Sequence, residues 1–196
     1  RTALELERPD DLEREAAILV RDGVAPVWAE AQDFVAAGAA RAGVGLTDEL
    51  PAAERTLSPD DHGFHNALRV ADGSLVFLDF EYAGWDDPAQ MLGNACLQPA
   101  VPLPAAARPG FLRGLLGELG GARPAERLKL VYPVLALKWA LIMLNEFVPL
   151  DRERRAFART DPRGRRAAQL AKARRQLEMV REVIRAPGGL LEAPGD

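Results

Sequence analysis

Apolar side chains recur at helical spacing toward both ends of the chain, with a short strand-like block between them. After Pro9-Asp10-Asp11, Leu12, Ala16 and Leu19 share a face, and Gly23 predicts the end of this first helix. Trp28, Gln32, Val35 and Ala39 predict the face of a second helix, ended by Gly43. The turn-rich stretch 43–56 predicts a surface loop.

Over 67–80 the pattern changes. Leu68 and Val70 alternate with polar neighbours, Asp72-Gly73 follow, and Leu75-Val76-Phe77-Leu78 run unbroken. Asp-Gly between two such runs predicts a β-hairpin closed by a two-residue turn, both of whose central residues take positive φ. This is the one β element that the pattern marks.

From Asp87 onward the period is helical again. Helices are predicted over 88–97 and 111–119, the latter closed by Gly120-Gly121, and a long apolar one starts at Pro124, kinked or restarted at Pro133. Asp161 and Pro162 announce a last helix, with an apolar stripe of Leu170, Leu177, Val180 and Ile184 and an end at Pro187-Gly188-Gly189. The expectation is a mostly helical α+β unit over 1–187 with a small β-hairpin, and a disordered tail over 188–196.

Composition narrows the class. With 196 residues, 48% hydrophobic and 28% charged, intrinsic disorder and collagen are excluded. A net charge of −4 gives no general attraction to nucleic acid or an anionic membrane, and neither is expected as a partner. The charge is uneven: residues 1–150 carry net −9 and residues 151–185 net +7, so the ends of the molecule should differ in potential. The basic face formed by Arg163, Arg166, Arg174 and Arg181 is expected to be solvated. Cys96 is the single cysteine, expected as a small buried hydrophobe, so no disulfide is possible within one chain and a reducing, cytoplasmic compartment is the simplest expectation. The most apolar stretch, 128–147, is interrupted by Pro133, Lys138, Asn145 and Glu146, which predicts a buried helix and not a membrane span.

Candidate chemistry gathers in Leu57-Ser58-Pro59-Asp60-Asp61-His62-Gly63-Phe64-His65-Asn66 and, across the hairpin, in Leu78-Asp79-Phe80-Glu81-Tyr82-Ala83-Gly84-Trp85-Asp86-Asp87-Pro88. A tight turn returns the chain alongside itself, so Asn66 and Asp79 should be neighbours, with Asp61 in reach. Two carboxylates and an amide oxygen are hard donors suited to magnesium, which keeps waters and holds phosphate oxygens. A nucleotide site is the expectation; ordinary turn chemistry, in which Asp and Asn bond local backbone, is the structural alternative. His62 and His65 lack a third nitrogen or sulfur partner for zinc and are expected to brace the loop. Glu81 reads either as a further metal or substrate ligand or as a solvated strand-end charge. Trp85 is expected to pack beneath the loop, and Lys138 to snorkel or to pair with an acid of this region.

Asp61-x4-Asn66, the hairpin and Asp79 resemble the carboxy-terminal catalytic lobe of the aminoglycoside phosphotransferase and choline kinase family, which has a protein-kinase-like fold. Gly84-Trp85-Asp86-Asp87-Pro88 resembles that family's Gly-Asp-Pro element, and Lys138-Trp139 with Leu144-Asn145-Glu146-Phe147 resembles a later helix of one bacterial branch. The likeness spans roughly residues 57–185. It implies an ATP- and magnesium-dependent phosphotransferase acting on a hydroxyl of a small molecule: an aminoglycoside, an amino alcohol or a sugar. Asp61 would then be the catalytic residue that orients or deprotonates the hydroxyl, Asn66 and Asp79 would bind magnesium and through it the ATP phosphates, and Asp87 would stabilise the catalytic loop, with His65 and Glu81 in support.

The chain departs from the family at Pro59, where a histidine is usual, and at Asn94, where an acid is expected. It has no glycine-rich phosphate loop, and no lysine before Lys129. The amino-terminal nucleotide lobe is therefore expected in cis, outside this chain. Two rival functions differ in class: a non-catalytic, degenerate lobe serving as a binding module, and a metal-dependent phosphohydrolase using the same carboxylates.

Overall fold

The computed structural model describes residues 9–61, 63–148 and 161–187. His62 and the stretch 188–196, with the readings placed on them, lie outside the described residues. The fold is mostly helical with two small antiparallel sheets, which agrees with the α+β expectation.

Asp10 starts α1 (Asp11–Ile18) with a reciprocal cap: the Glu13 N–H donates to Asp10 Oδ1 at 2.9 Å and the Asp10 N–H to Glu13 Oε2 at 2.8 Å. The helix does not end at Gly23 as predicted. A π-helical segment, Leu19–Val24, carries the chain through it into α2 (Ala25–Ala42). An internal glycine costs a helix about 1 kcal/mol. Burial of Val24 and Val27 immediately beyond it outweighs that cost. The buried face of α2 agrees with the expected one at Ala39 but is turned from it earlier in the helix: Val27 and Ala31 are buried, while Gln32 is exposed and Trp28 is 44% exposed. The small alanines let α2 lie close against the central helix.

That central helix is α5 (Ala122–Leu144), which runs through Pro133 without ending and buries Leu128, Tyr132, Ala136 and Ala140 completely. Around it pack α2, α3 (Pro88–Leu97), α4 (Arg108–Glu118) and α6 (Pro162–Arg185). By length and composition, Ala122–Phe147 is apolar enough to cross a membrane, but 56% of its most apolar window is buried inside this fold. The last helix starts as predicted, with the Gly164 N–H donating to Asp161 Oδ1 and Pro162 in the first turn. Its Leu170 and Ala173 join Ala16, Met143, Leu144 and Phe147 in a second apolar cluster.

The basic face of α6 is not simply solvated. Arg163 reaches Asp11 at 2.6 Å, Arg174 reaches Glu15 at 2.7 Å, and Arg166 reaches Asp10 at 2.7 Å and Glu13 at 3.3 Å while lying over the Phe147 ring. Part of the charge asymmetry in the sequence is thus a helix-pairing device between α1 and α6.

Four three-residue strands complete the fold: β1 (Thr56–Ser58), β2 (Ala67–Arg69), β3 (Leu75–Phe77) and β4 (Gly84–Asp86). The predicted hairpin is present as β2–β3, with Leu68 opposite Val76. Its turn is wider than expected. Val70 pairs with Ser74, the Gly73 N–H donates to the Val70 carbonyl, and among the central residues only Gly73 has positive φ, at +89°. This is a three-residue loop with glycine in the left-handed position. The Asp72 carboxylate accepts from the Ser74 N–H and hydroxyl, so it caps the turn from the side and Asp72 needs no positive φ itself. The second sheet, β1 with β4, pairs Thr56 with Asp86 and Ser58 with Gly84 and was not marked by the sequence pattern.

Candidate functional site

The two sheets frame the chemistry. Residues 59–66 connect β1 to β2, residues 78–83 connect β3 to β4, and because β1 pairs with β4 and β2 with β3, the two connections are tied together at both ends. The Leu78 N–H donates to the Asn66 carbonyl at 2.8 Å, carrying the hairpin ladder one residue further. Asp79 comes one residue after that rung, whereas the expected two-residue turn would have set it directly opposite Asn66.

Among the described residues, Asp60 and Asp79 are the non-glycine residues with positive φ, at +56° and +63°. Left-handed backbone is uncommon outside glycine and most tolerable for Asp and Asn, and its concentration in these two connections marks them as sharply bent. Asn66 turns its amide back into the loop, its Nδ2 donating to the Asp61 carbonyl at 3.0 Å, which leaves its side-chain oxygen as an acceptor. Asp79 and Glu81 are exposed.

Asp61 looks into a cleft of about 890 Å³ between the loop and the helices. His65 and Tyr82 lie on its strand side, Asn94 and Gln98 come from α3, Trp139 and Lys138 from α5, and Glu146 and Gln169 from further along the chain. Lys138 is exposed at the margin of this cleft and makes no ion pair with another described residue, whereas the buried Glu146 pairs with Arg165 at 2.8 Å.

The loop is held from α3. Asn94 Nδ2 donates to Asp60 Oδ1 at 3.0 Å and Gln98 Nε2 to Asp61 Oδ1 at 3.0 Å. Trp139 Nε1 donates in turn to Asn94 Oδ1 at 3.1 Å in a fully buried bond. The His65 ring nitrogen Nε2 lies 3.6 Å from Asp61 Oδ1 and 3.5 Å from Gln98 Nε2. His65 thus stands beside Asp61 and Gln98 at the margin of bonding distance.

The Tyr82 hydroxyl is pushed above its ordinary value by its hydrogen bond to Glu81 and by that carboxylate's charge, then by desolvation, with smaller contributions from Asp79 and Asp61. Among the described residues no group of three His, Cys, Asp or Glu side chains is arranged to hold a metal ion.

The other expected residues fare differently. Asp87 caps α3 through the Ala89 N–H and pairs with Arg127 at 3.0 Å, so its side chain ties α3 to α5 and does not bond to the 59–66 loop. Trp85 is 73% exposed and so does not pack beneath the loop: it sits mid-strand in β4, opposite Leu57, which is itself 63% exposed. Cys96 is buried as expected, and burial pushes its thiol up to about 11. Sequence reasoning missed Gln98, Tyr82 and Gln169, and it saw Asn94 only as a departure from a pattern. The available signal was Asn94 and Gln98 standing one turn apart in the otherwise apolar run Leu92-Gly93-Asn94-Ala95-Cys96-Leu97.

Comparison with protein-family models, with curated proteins and with solved structures gives no match.

Proposed function

We propose that this chain is the catalytic lobe of an ATP- and magnesium-dependent phosphotransferase with a protein-kinase-like fold, moving the γ-phosphoryl group to a hydroxyl of a small molecule. The observation that carries the reading is the tying of the two connections at both ends, with Asp61 facing a substrate-sized cleft and Asp79 at the end of the hairpin ladder.

The donor chemistry fits magnesium. Asp79 offers an exposed carboxylate and Asn66 a side-chain oxygen left over from its bond to the Asp61 carbonyl. Magnesium bound through one or two protein oxygens plus substrate phosphates needs no cluster of three acids. When bound it would neutralise charge on the phosphates.

Asp61 accepts the proton of the acceptor hydroxyl as that oxygen bonds to the γ-phosphorus, the bond from phosphorus to the β,γ-bridging oxygen breaks, and ADP leaves with the electron pair. The cleft helices orient the acceptor, and the reading takes the nucleotide-gripping lobe to be supplied in cis.

The test is ADP release from Mg-ATP in the presence of a panel of amino alcohols, sugars and aminoglycosides, beside calorimetry with Mg-ATP. Asp79→Ala should abolish turnover without altering the circular dichroism spectrum, because Asp79 is exposed. Asp61→Asn should lower kcat far more than it raises KM. Absence of both heat and ADP in the two-lobed parent as well as in this chain would favour a non-catalytic binding module, and hydrolysis of a phosphate ester without ATP would favour a phosphohydrolase.

A further inference from the structure

We infer that Gln98, at the end of α3, is a positioning residue that aims the Asp61 carboxylate into the cleft; this rests on the phosphotransferase reading above. Its own orientation is settled by chemistry. The Ala100 backbone N–H, which can only donate, lies 3.0 Å from Gln98 Oε1, so the amide nitrogen must be the atom facing Asp61 Oδ1 at 3.0 Å. The Gln98 backbone N–H is used on the Asn94 carbonyl, and only 6% of the residue is exposed. A side chain fixed at both ends of its amide and buried is a rigid support.

Among its described residues the loop gives the Asp61 carboxylate no side-chain donor within hydrogen-bond distance. Pro59 has neither an N–H nor a polar side chain, and the Asn66 amide is used on the Asp61 carbonyl rather than on the carboxylate. The His65 nitrogen lies beyond hydrogen-bond distance. Gly63 is where the loop meets this support: a Cβ there would stand 2.7 Å from Gln98 Cγ, so only glycine lets the backbone approach so closely.

Asn94, one turn earlier, holds the left-handed Asp60 in the same way. The carboxylate of Asp61 is thereby fixed through Oδ1, and among the described residues Oδ2 has no hydrogen-bond partner and can take the acceptor proton. A general base that must meet a hydroxyl within hydrogen-bond reach loses rate steeply when it swings away.

The test compares Gln98→Leu and Gln98→Glu in the full protein at saturating Mg-ATP. Glutamate keeps an acceptor for the Ala100 N–H but presents no donor to Asp61, whereas leucine keeps neither. Positioning predicts that kcat falls about 10- to 100-fold in both, with KM for ATP within about twofold and Gln98→Glu at least as slow as Gln98→Leu. Retention of kcat in Gln98→Glu but not in Gln98→Leu would reduce the residue to a support for Ala100 and overturn the inference.

A second measurement does not depend on turnover. In ¹⁵N–¹H spectra one Gln98 side-chain amide proton should exchange slowly with solvent, and should lose that protection in Asp61→Leu. An unchanged amide signal overturns the inference even in an active enzyme. A wild-type protein that makes no ADP overturns the phosphotransferase reading, while the amide spectrum still decides whether Gln98 holds Asp61.

Discussion

The buried bond between Trp139 and Asn94 offers a test of how the loop is anchored to the helical core. Asn94 is 2% exposed and Trp139 8%, and the indole N–H meets Asn94 Oδ1 at 3.1 Å. Trp139→Phe removes the donor and leaves that oxygen buried without it, which costs about 1–3 kcal/mol. Loss of the larger ring adds a packing penalty, so about 2–4 kcal/mol is expected in total. Asn94→Leu leaves the indole N–H orphaned instead and incurs a similar polar cost. The double variant has no orphan of this pair, and the Asp60 oxygen freed on the loop is solvent-accessible enough to find water. Its destabilisation should therefore fall short of the sum of the single variants by the two orphan costs together, about 2–6 kcal/mol. Urea unfolding followed by circular dichroism measures all four corners of the cycle, with unchanged m-values as the check that the unfolded state is the same. Additivity to within about 0.5 kcal/mol would refute the claim that this hydrogen bond joins α3 to α5 energetically.

Asp10 links stability to pH. Burial alone would raise its carboxyl, but the Glu13 N–H and the Arg166 guanidinium outweigh this and hold it below the ordinary 3.8. The stabilisation is therefore fully present above 3.8 and is lost as pH falls through the lower folded value. Asp10→Ala should cost about 0.5–2 kcal/mol at neutral pH, and the gap from wild type in urea unfolding should close as pH falls below the ordinary carboxylate range; a gap that stays constant into acid would count against the cap. Cys96, with its thiol pushed up to about 11, should be almost wholly protonated at pH 8 and shielded as well. Labelling by a thiol-reactive disulfide should be at least about 100-fold slower in native protein than in urea-unfolded protein; equal rates would show that α3 opens readily.

The helices were legible where an end carries its own chemistry. Asp161-Pro162 fixed the start of α6, and Asp87-Pro88 fixed that of α3, because a side-chain oxygen satisfies orphan N–H groups and proline has no N–H to lose there. Gly23 misled because a glycine is only a weak stop, and the burial that carries the helix across it comes from residues distant in sequence. The face of α2 misled for a related reason. Trp28 is the most apolar-looking residue there, but Val27 and Ala31 are the residues that join the core cluster with α5, and a large indole is left at the surface.

The candidate site divides along the same line. A two-residue turn would set Asn66 opposite Asp79; the three-residue loop shifts the register by one, so Asn66 pairs with Leu78 and Asp79 comes one residue later. The β1–β4 ladder was illegible because three-residue strands have no measurable period, and yet it is the pairing that closes the frame around Asp61. The support from Asn94, Gln98 and Trp139 depends on a packing of α3 against α5 that no local pattern encodes. What the sequence did display was a polar pair at helical spacing inside an apolar helix. A buried amide is unfavourable unless bonded, so such a pair demands partners of its own, and here those partners are two neighbouring aspartates of the loop.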